Sequence, residues 1–556
     1  MAFQVSPGVQ VNEIDASGVV PAVSTSIGGF VGSFNWGPVE EIRTVGSETE
    51  LASIFGTPDS YTYKYFLTAA SFLKYGNALK VVRAASGHLN ATDGTAKLVK
   101  NDGHYESLSH DGTFIAKHPG ILGNAIDVQI CPANATAWSA FTHAGSYDAA
   151  PGTSASAAVG GHTNDELHIA IIDRTGAWTG TAGTVLETFQ FVSQASDSKK
   201  PDGTSNYYKD VINTSSRYVY WTGHQSALTD AGESFASQSS ATAYATGTSV
   251  LTSVMAAGVD DNAPTAGEIN IAFDLLADAE TVDVNLLFAY PDANGAKTIA
   301  DKLITICNAR KDCMAFVSPP IEDSVGISTP AATVKAWVDG LASTSYASAD
   351  SGAVYVYDKY NDAYRWLGAS GLCAGLCANT DNVADAWFSP AGTTRGQLFG
   401  VAKLAYNPKK ADRDMLYKAR VNPLVSFPGQ GTMLFGDKTL LSKPSAFDRI
   451  NVRRLFIVIE KAISTAAKGQ LFEFNDEFTR AQFRNLLEPF LRDVKGRRGV
   501  TDFRVVCDTT NNTGQVIDAN RFVADIFIKP SRSINFISLN FIATRTGVDF
   551  SEIAGS

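Results

Sequence analysis

Val282-Asp283-Val284-Asn285-Leu286-Leu287-Phe288 opens the stretch whose rhythm decides the fold class. Its apolar residues crowd together as in a buried strand. Ala296–Arg310 follows with helical spacing, and Cys313-Met314-Ala315-Phe316-Val317 is strand-like again. Ala331–Ala342 reads as a helix entered at Thr329-Pro330, with proline at the first helical position. Ala353–Tyr357 completes a β-α-β-α-β order. Parallel neighbours need a long crossover, usually a helix, so the order predicts a mostly parallel sheet.

Upstream, residues 23–86 have the same mixed character. Ser26–Phe34 is a glycine-rich strand. Ser47 and Glu50 form a capping box that opens a short helix, which Gly56 closes. Tyr63–Tyr75 is a second helix and Leu79–Arg83 a buried-type strand. Residues 88–267 differ: they are rich in Ser, Thr, Ala and Gly, with short alternating runs at Leu167–Ile172 and Tyr218–Trp221. That pattern reads as a β-rich insertion with long polar loops. Its stretch Ser234–Gly258 is nearly low-complexity and is expected to be mobile.

Residues 406–556 read as a second, α+β unit. Ser445 caps a helix with Phe447, Ile450, Leu455, Val458, Ile459, Ala462, Ile463 and Ala466 on its apolar stripe. A second helix runs from about Asp476 to Val494, with Phe478, Leu486, Leu487, Phe490 and Leu491 inward. Pro489 is expected to kink or split it and Gly496 to end it. Strands follow at Asp502–Cys507, Arg521–Ile528 and Ile534–Ala543. At the other end, residues 1–22 read as an extended arm, in which Val9 and Val11 alternate with polar neighbours. The expected fold class is therefore α/β and α+β multidomain. An α/β middle domain (23–87 plus 268–405) carries a β-rich insertion (88–267). A C-terminal α+β domain (406–556) follows, and extended strand arms stand at both chain ends.

The chain has 556 residues, 44% of them hydrophobic and 18% charged, enough apolar material for several cores. No stretch approaches the ~20 apolar residues that span a bilayer. The start lacks the basic and apolar regions of a signal peptide, so folding in a cytoplasm is expected. Six cysteines in this length build no disulfide scaffold and match no zinc or redox spacing. The net charge of −11 divides into +7 for residues 406–556 and −18 for the rest. Two such parts face different neighbours. All eight histidines lie between His88 and His224.

No motif in the chain carries a complete catalytic or cofactor signature. Gly431–Thr439 resembles a phosphate loop, but Asp437 stands between the glycine and Lys438, and no buried strand precedes it. Tyr290–Gly295 lacks the glycines of a dinucleotide loop. Gly368-Ala369-Ser370-Gly371 misses the spacing of a nucleophile elbow, and there is no His-Glu-x-x-His. The basic cluster Arg492-Asp493-Val494-Lys495-Gly496-Arg497-Arg498 closes a helix, where cations suit the dipole. No nucleic-acid recognition pattern accompanies it. No enzyme, cofactor, metal or direct nucleic-acid contact is expected.

Several stretches, taken in order, resemble the tail sheath protein of contractile-tailed bacteriophages. They are Ser6-Pro7-Gly8-Val9, then Gly32–Pro38 through Ser47–Gly56, then Phe388-Ser389-Pro390-Ala391-Gly392 through Arg395-Gly396. The strongest is Val421-Asn422-Pro423 through Phe427-Pro428-Gly429-Gln430-Gly431 to Gly436-Asp437-Lys438-Thr439-Leu440. Asn451-Val452-Arg453-Arg454-Leu455 follows as in the family. The resemblance covers 1–86 and about 385–556, and is weak over the insertion.

The resemblance implies a structural subunit that stacks in six-fold rings around a rigid tube and contracts to drive it through the host envelope. It implies strand arms that pair with neighbouring subunits: Val5, Val9, Val11 and Ile14 at one end, Ile537, Leu539 and Phe541 at the other. The acceptor sheet would hold Asp502–Cys507 and Arg521–Ile528. Partners would be further copies of the chain, the tail tube protein, and baseplate and tail terminator proteins, with assembly in the host cytoplasm and no membrane insertion. Arg492, Lys495, Arg497 and Arg498 are the candidates for facing an acidic tube. A different virion structural or adhesive protein with a glycan-binding insertion is the alternative.

Overall fold

The computed structural model describes residues 23–535 and 538, apart from 86, 226–227, 229–236, 238–243, 245–246, 262 and 293–294. The proposed arm residues Val5, Val9, Val11, Ile14, Ile537, Leu539 and Phe541 lie outside them.

The centre is a seven-stranded sheet ordered Val421–Asn422, Ala347–Asp350, Met314–Val317, Leu286–Phe288, Gly28–Gly32, Leu79–Arg83, Ile42–Val45. Every pairing is parallel except the last, where Ile42–Val45 runs antiparallel to Leu79–Arg83. Helices Ala296–Arg310 and Pro330–Asp339 make the expected crossovers. The strands from residues 28–83 and from 286–350 sit side by side, so the segment between them leaves one sheet and returns to it.

The core is aromatic at the middle of the sheet. The Phe72 ring stacks on Phe288 at 5.3 Å and Phe30 approaches Phe288 at 5.3 Å. Gly28 is required here, because a Cβ would stand 2.8 Å from both Leu79 and Phe72.

Two strand assignments change. Ala353–Tyr357 does not join the parallel sheet; that place belongs to Ala347–Asp350, buried at all four positions. Val354–Asp358 instead pairs antiparallel with Ala363–Leu367 and Val401–Leu404. Its alternation of buried and more exposed residues suits a sheet with one covered face. The short edge strand Val421–Asn422 comes from the region read as the C-terminal unit, and Leu416, Val421, Leu424 and Leu440 pack into the central core. A helix at Ser370–Val383 has no counterpart in the sequence reading. Ten of its 14 residues are buried, and it packs against Tyr63–Leu73, where a Cβ on Gly371 would come within 2.4 Å of Thr68 O.

Residues 126–254 hold a four-stranded antiparallel sheet ordered Thr184–Ser193, Glu166–Asp173, Ile126–Pro132, Leu251–Val254. Leu251–Val254 lies in the stretch expected to be mobile and is a ladder strand. Phe114–Ala116 pairs with Val219–Trp221 beside this sheet. The insertion has its own core, to which the ladder contributes Ile126, Val128, Ile130, Leu167, Ile169 and Ile171. Its two ends meet where Leu89 N donates to Val259 O at 3.0 Å.

Candidate assembly interface

Beyond the central sheet, the chain builds two long helices and a hairpin. Ser445 caps only a short 3-10 turn, Ala446–Asp448, and the first long helix is Ile450–Ala467. The second, Glu477–Gly496, starts at Asp476, whose side chain accepts from Thr479 N at 2.8 Å. Pro489 neither splits nor ends it. Phe483, Leu487, Leu491 and Val494 stay buried on both sides of the proline, so packing carries the helix past one lost hydrogen bond. Phe478, expected inward, is exposed. Val500–Val506 and Asp525–Pro530 form the hairpin, packed on these helices through Phe503, Val505, Ile526 and Ile528. Fully burying one such side chain stabilises by roughly 1.5–3 kcal/mol.

The hairpin has two strands among the described residues, so each strand has one unpaired edge. Such an edge is a template for another strand. Asp525, Phe527 and Lys529 alternate outward along Asp525–Pro530.

Both described chain ends are anchored at this unit. Val23 packs against the cluster of Ala462, Phe483, Leu487 and Cys507. Arg454 donates to Thr25 O at 3.1 Å, to Cys377 O at 3.2 Å and to Asp381 at 2.7 Å. Burial works against its charge, but Asp381 together with Cys377 outweighs that and raises its pKa. Lys461 binds Asp283 and reaches Ser24 O at 3.4 Å.

At the other end, Ser531 N donates to Gly499 O at 3.1 Å. The chain then meets Asp437, the residue that spoils the phosphate-loop pattern. Its buried carboxylate accepts from Ser533 at 2.7 Å, Ser389 at 3.0 Å and Asn535 at 3.2 Å. Lys438 does not face an anion site; its Nζ donates to Tyr417 O at 2.7 Å and lies over the Tyr417 ring. Asn422 fixes this turn by accepting from Lys438 N at 2.7 Å and donating to Lys438 O at 2.8 Å. The sequence marks Asn422 and Asp437 by their motif, but nothing in it shows that Asp437 binds Ser533 and Asn535.

Beside Asp437 opens a cleft of about 770 Å³. Phe388, Tyr417 and Phe435 line it, with Lys410, Arg413 and Arg498 among the cations.

The basic helix end is not one uniform patch. Arg492 pairs with Glu488 at 2.8 Å and Lys495 with Asp502 at 3.2 Å, both exposed. Arg497 binds Asp385 and lies over the Trp387 ring, tying the helix to the segment before the cleft. Arg498 lines the cleft. All six cysteines are buried and free. Among the described residues no cluster of three His, Cys, Asp or Glu side chains could hold a metal, and no helix is long and apolar enough to cross a membrane.

A wide sheet with crossover helices is joined to a small unit whose hairpin edges are unpaired among the described residues. Family comparison assigns the class. The phage tail sheath protein central domain matches residues 272–440, and the phage tail sheath C-terminal domain matches 442–544. The N-terminal region of tail sheath domain III matches 25–84. The tail sheath protein of Vibrio phage KVP40 is 34% identical, with 99% of each chain covered, and that of Enterobacteria phage T4 is 34% identical with the same coverage. The fold is shared with a sheath tail protein from Listeria innocua, at TM-score 0.54 and 12% identity over 92% of this chain and 96% of that one. It is shared also with the anti-feeding prophage helical sheath in its contracted state, at 0.53 and 14% over 98% and 100%. The chain belongs to the phage tail sheath family: it is a structural subunit of a contractile phage tail.

Proposed function

We propose that this chain polymerises with its own copies into stacked rings around a tail tube, lending both chain ends to its neighbours' hairpins. The supporting observation is a hairpin with two strands among the described residues, with Val23 packed beside it and Ser533 held on Asp437. Main-chain hydrogen bonds from a donated strand would supply affinity, and alternate side chains the register. A mesh joined this way lets subunits turn and slide without separating.

Contraction then needs no bound fuel, because assembly traps an extended lattice that relaxes to a more buried one. Arg492 and Lys495 are the stronger candidates for a tube contact, since exposed ion pairs are weak and exchange readily. Arg497 and Arg498 serve the joint and the cleft. The sheath would also meet baseplate and terminator proteins at its ends, and would assemble in the host cytoplasm. Deleting residues 1–14 tests the strand exchange. A folded monomer that forms no tubes is expected; long tubes from the truncated chain would overturn it.

A further inference from the structure

The turn between the two long C-terminal helices carries more apolar surface than its own fold uses. Leu471, Phe472, Phe474 and Phe478 are 63%, 104%, 84% and 74% exposed. Single exposed apolar residues are ordinary, whereas four within eight positions mark a contact. Phe472 is held at φ +71°, a costly region for a side chain other than glycine. The turn is braced from behind: Asn475 donates to Arg521 O at 2.8 Å and accepts from Arg480 at 2.8 Å. Exposed Glu473 and Glu477 stand among the rings.

The cleft beside Asp437 has the opposite character in charge and the same in chemistry. Its rings are Phe388, Tyr417 and Phe435, the last 45% exposed, and its cations include Lys410, Arg413 and Arg498. Its volume of about 770 Å³ has room for bulky side chains.

We propose that the aromatic turn 471–478 of one copy seats in this cleft of the next copy. Phenyl groups meet aromatic walls, and the turn's carboxylates meet the cations. The two surfaces are different patches of one chain, so the contact is heterologous and repeats into a ring or a helix. The inference rests on the self-assembly reading above and adds a second contact to strand exchange.

Cross-linking tests it. A Phe472→Cys chain is mixed with a Lys410→Cys chain, assembled, and treated with a short bis-maleimide; the native cysteines are buried. The expected result is a covalent dimer in polymers and none in monomers. Phe472→Asp should raise the concentration needed for assembly about tenfold. A Glu473→Lys, Glu477→Lys chain should regain assembly when mixed with a Lys410→Glu, Arg498→Glu chain. Normal polymers without the cross-link would overturn the contact and leave strand exchange standing. Failure of the unaltered chain to polymerise would overturn both. A cross-link from Lys410→Cys to Phe541→Cys within one monomer would give the cleft to the chain's own C-terminus.

Discussion

The insertion and the C-terminal unit solve opposite problems. The insertion carries all the histidines and builds a four-stranded sheet around its own core. The C-terminal unit carries no histidine, its two long helices carry only a two-stranded hairpin among the described residues, and it leaves large apolar residues in solvent. The first is a closed body attached at two adjacent chain crossings; the second, in the proposed assembly, is completed by neighbouring copies. On the proposed reading, assembly is encoded in unpaired backbone and exposed rings rather than in the bulkiest added domain.

The largest expected effect is all or none. Replacing residues 90–258 with a short flexible linker should leave a chain that still forms tubes, seen by electron microscopy, because Leu89 and Val259 already pair. Its melting temperature should fall, since Arg83 is buried and loses its bond to Pro119 O. Loss of tubes there would erase the proposed division of labour.

Next is the contact of Arg454 with Thr25, near the start of the described chain. Arg454→Ala leaves Asp381 buried without its partner and should cost about 3–5 kcal/mol in chemical unfolding. A cost below about 1 kcal/mol, the range of an exposed pair, would show that the contact is not structural.

Acid should separate the insertion from the central sheet. Burial lowers His88 to about 3 and His224 to about 4, from an ordinary value of 6.5. The unfolded chain therefore takes up protons first, and the insertion loses stability as pH falls from about 6.5 towards 4. Burial raises Asp350 in the central sheet to about 7, which has the reverse sign, so the sheet gains stability as pH falls through that value. Trp36 meets Trp178 at 4.9 Å across the joint, so tryptophan fluorescence can report the insertion. Loosening of the central sheet before the insertion would contradict this. The smallest effect is on the surface: Lys495→Ala should change stability by no more than about 0.5 kcal/mol, because its pair with Asp502 is exposed.

Much of this architecture was legible in the sequence. The alternation of strands and helices over 282–317 predicts the parallel sheet, and the change of composition after residue 87 predicts the β-rich insertion. Ser370–Val383 was not legible, because a helix buried on nearly every side has no polar stripe; its small residues Gly371, Ala374, Gly375 and Ala378 are the one signal it offers. Ala347–Asp350 hides for a related reason, since two alanines, a serine and an aspartate make a strand only where small residues suit the space. Phe478 misled because helical periodicity says which residues share a stripe, not whether a partner within the chain covers it. Asp437 looked like a flaw in a phosphate loop because its partners, Ser389, Ser533 and Asn535, are distant in sequence.

Amide hydrogen exchange along Val500–Val506 and Asp525–Pro530, compared between monomer and assembled tubes, tests strand donation most directly. Edge amides that exchange quickly in the monomer should become strongly protected in the tube, while the chain lacking residues 1–14, which should form no tubes, should keep them fast under the same conditions. Equal exchange in monomer and tube would contradict strand donation.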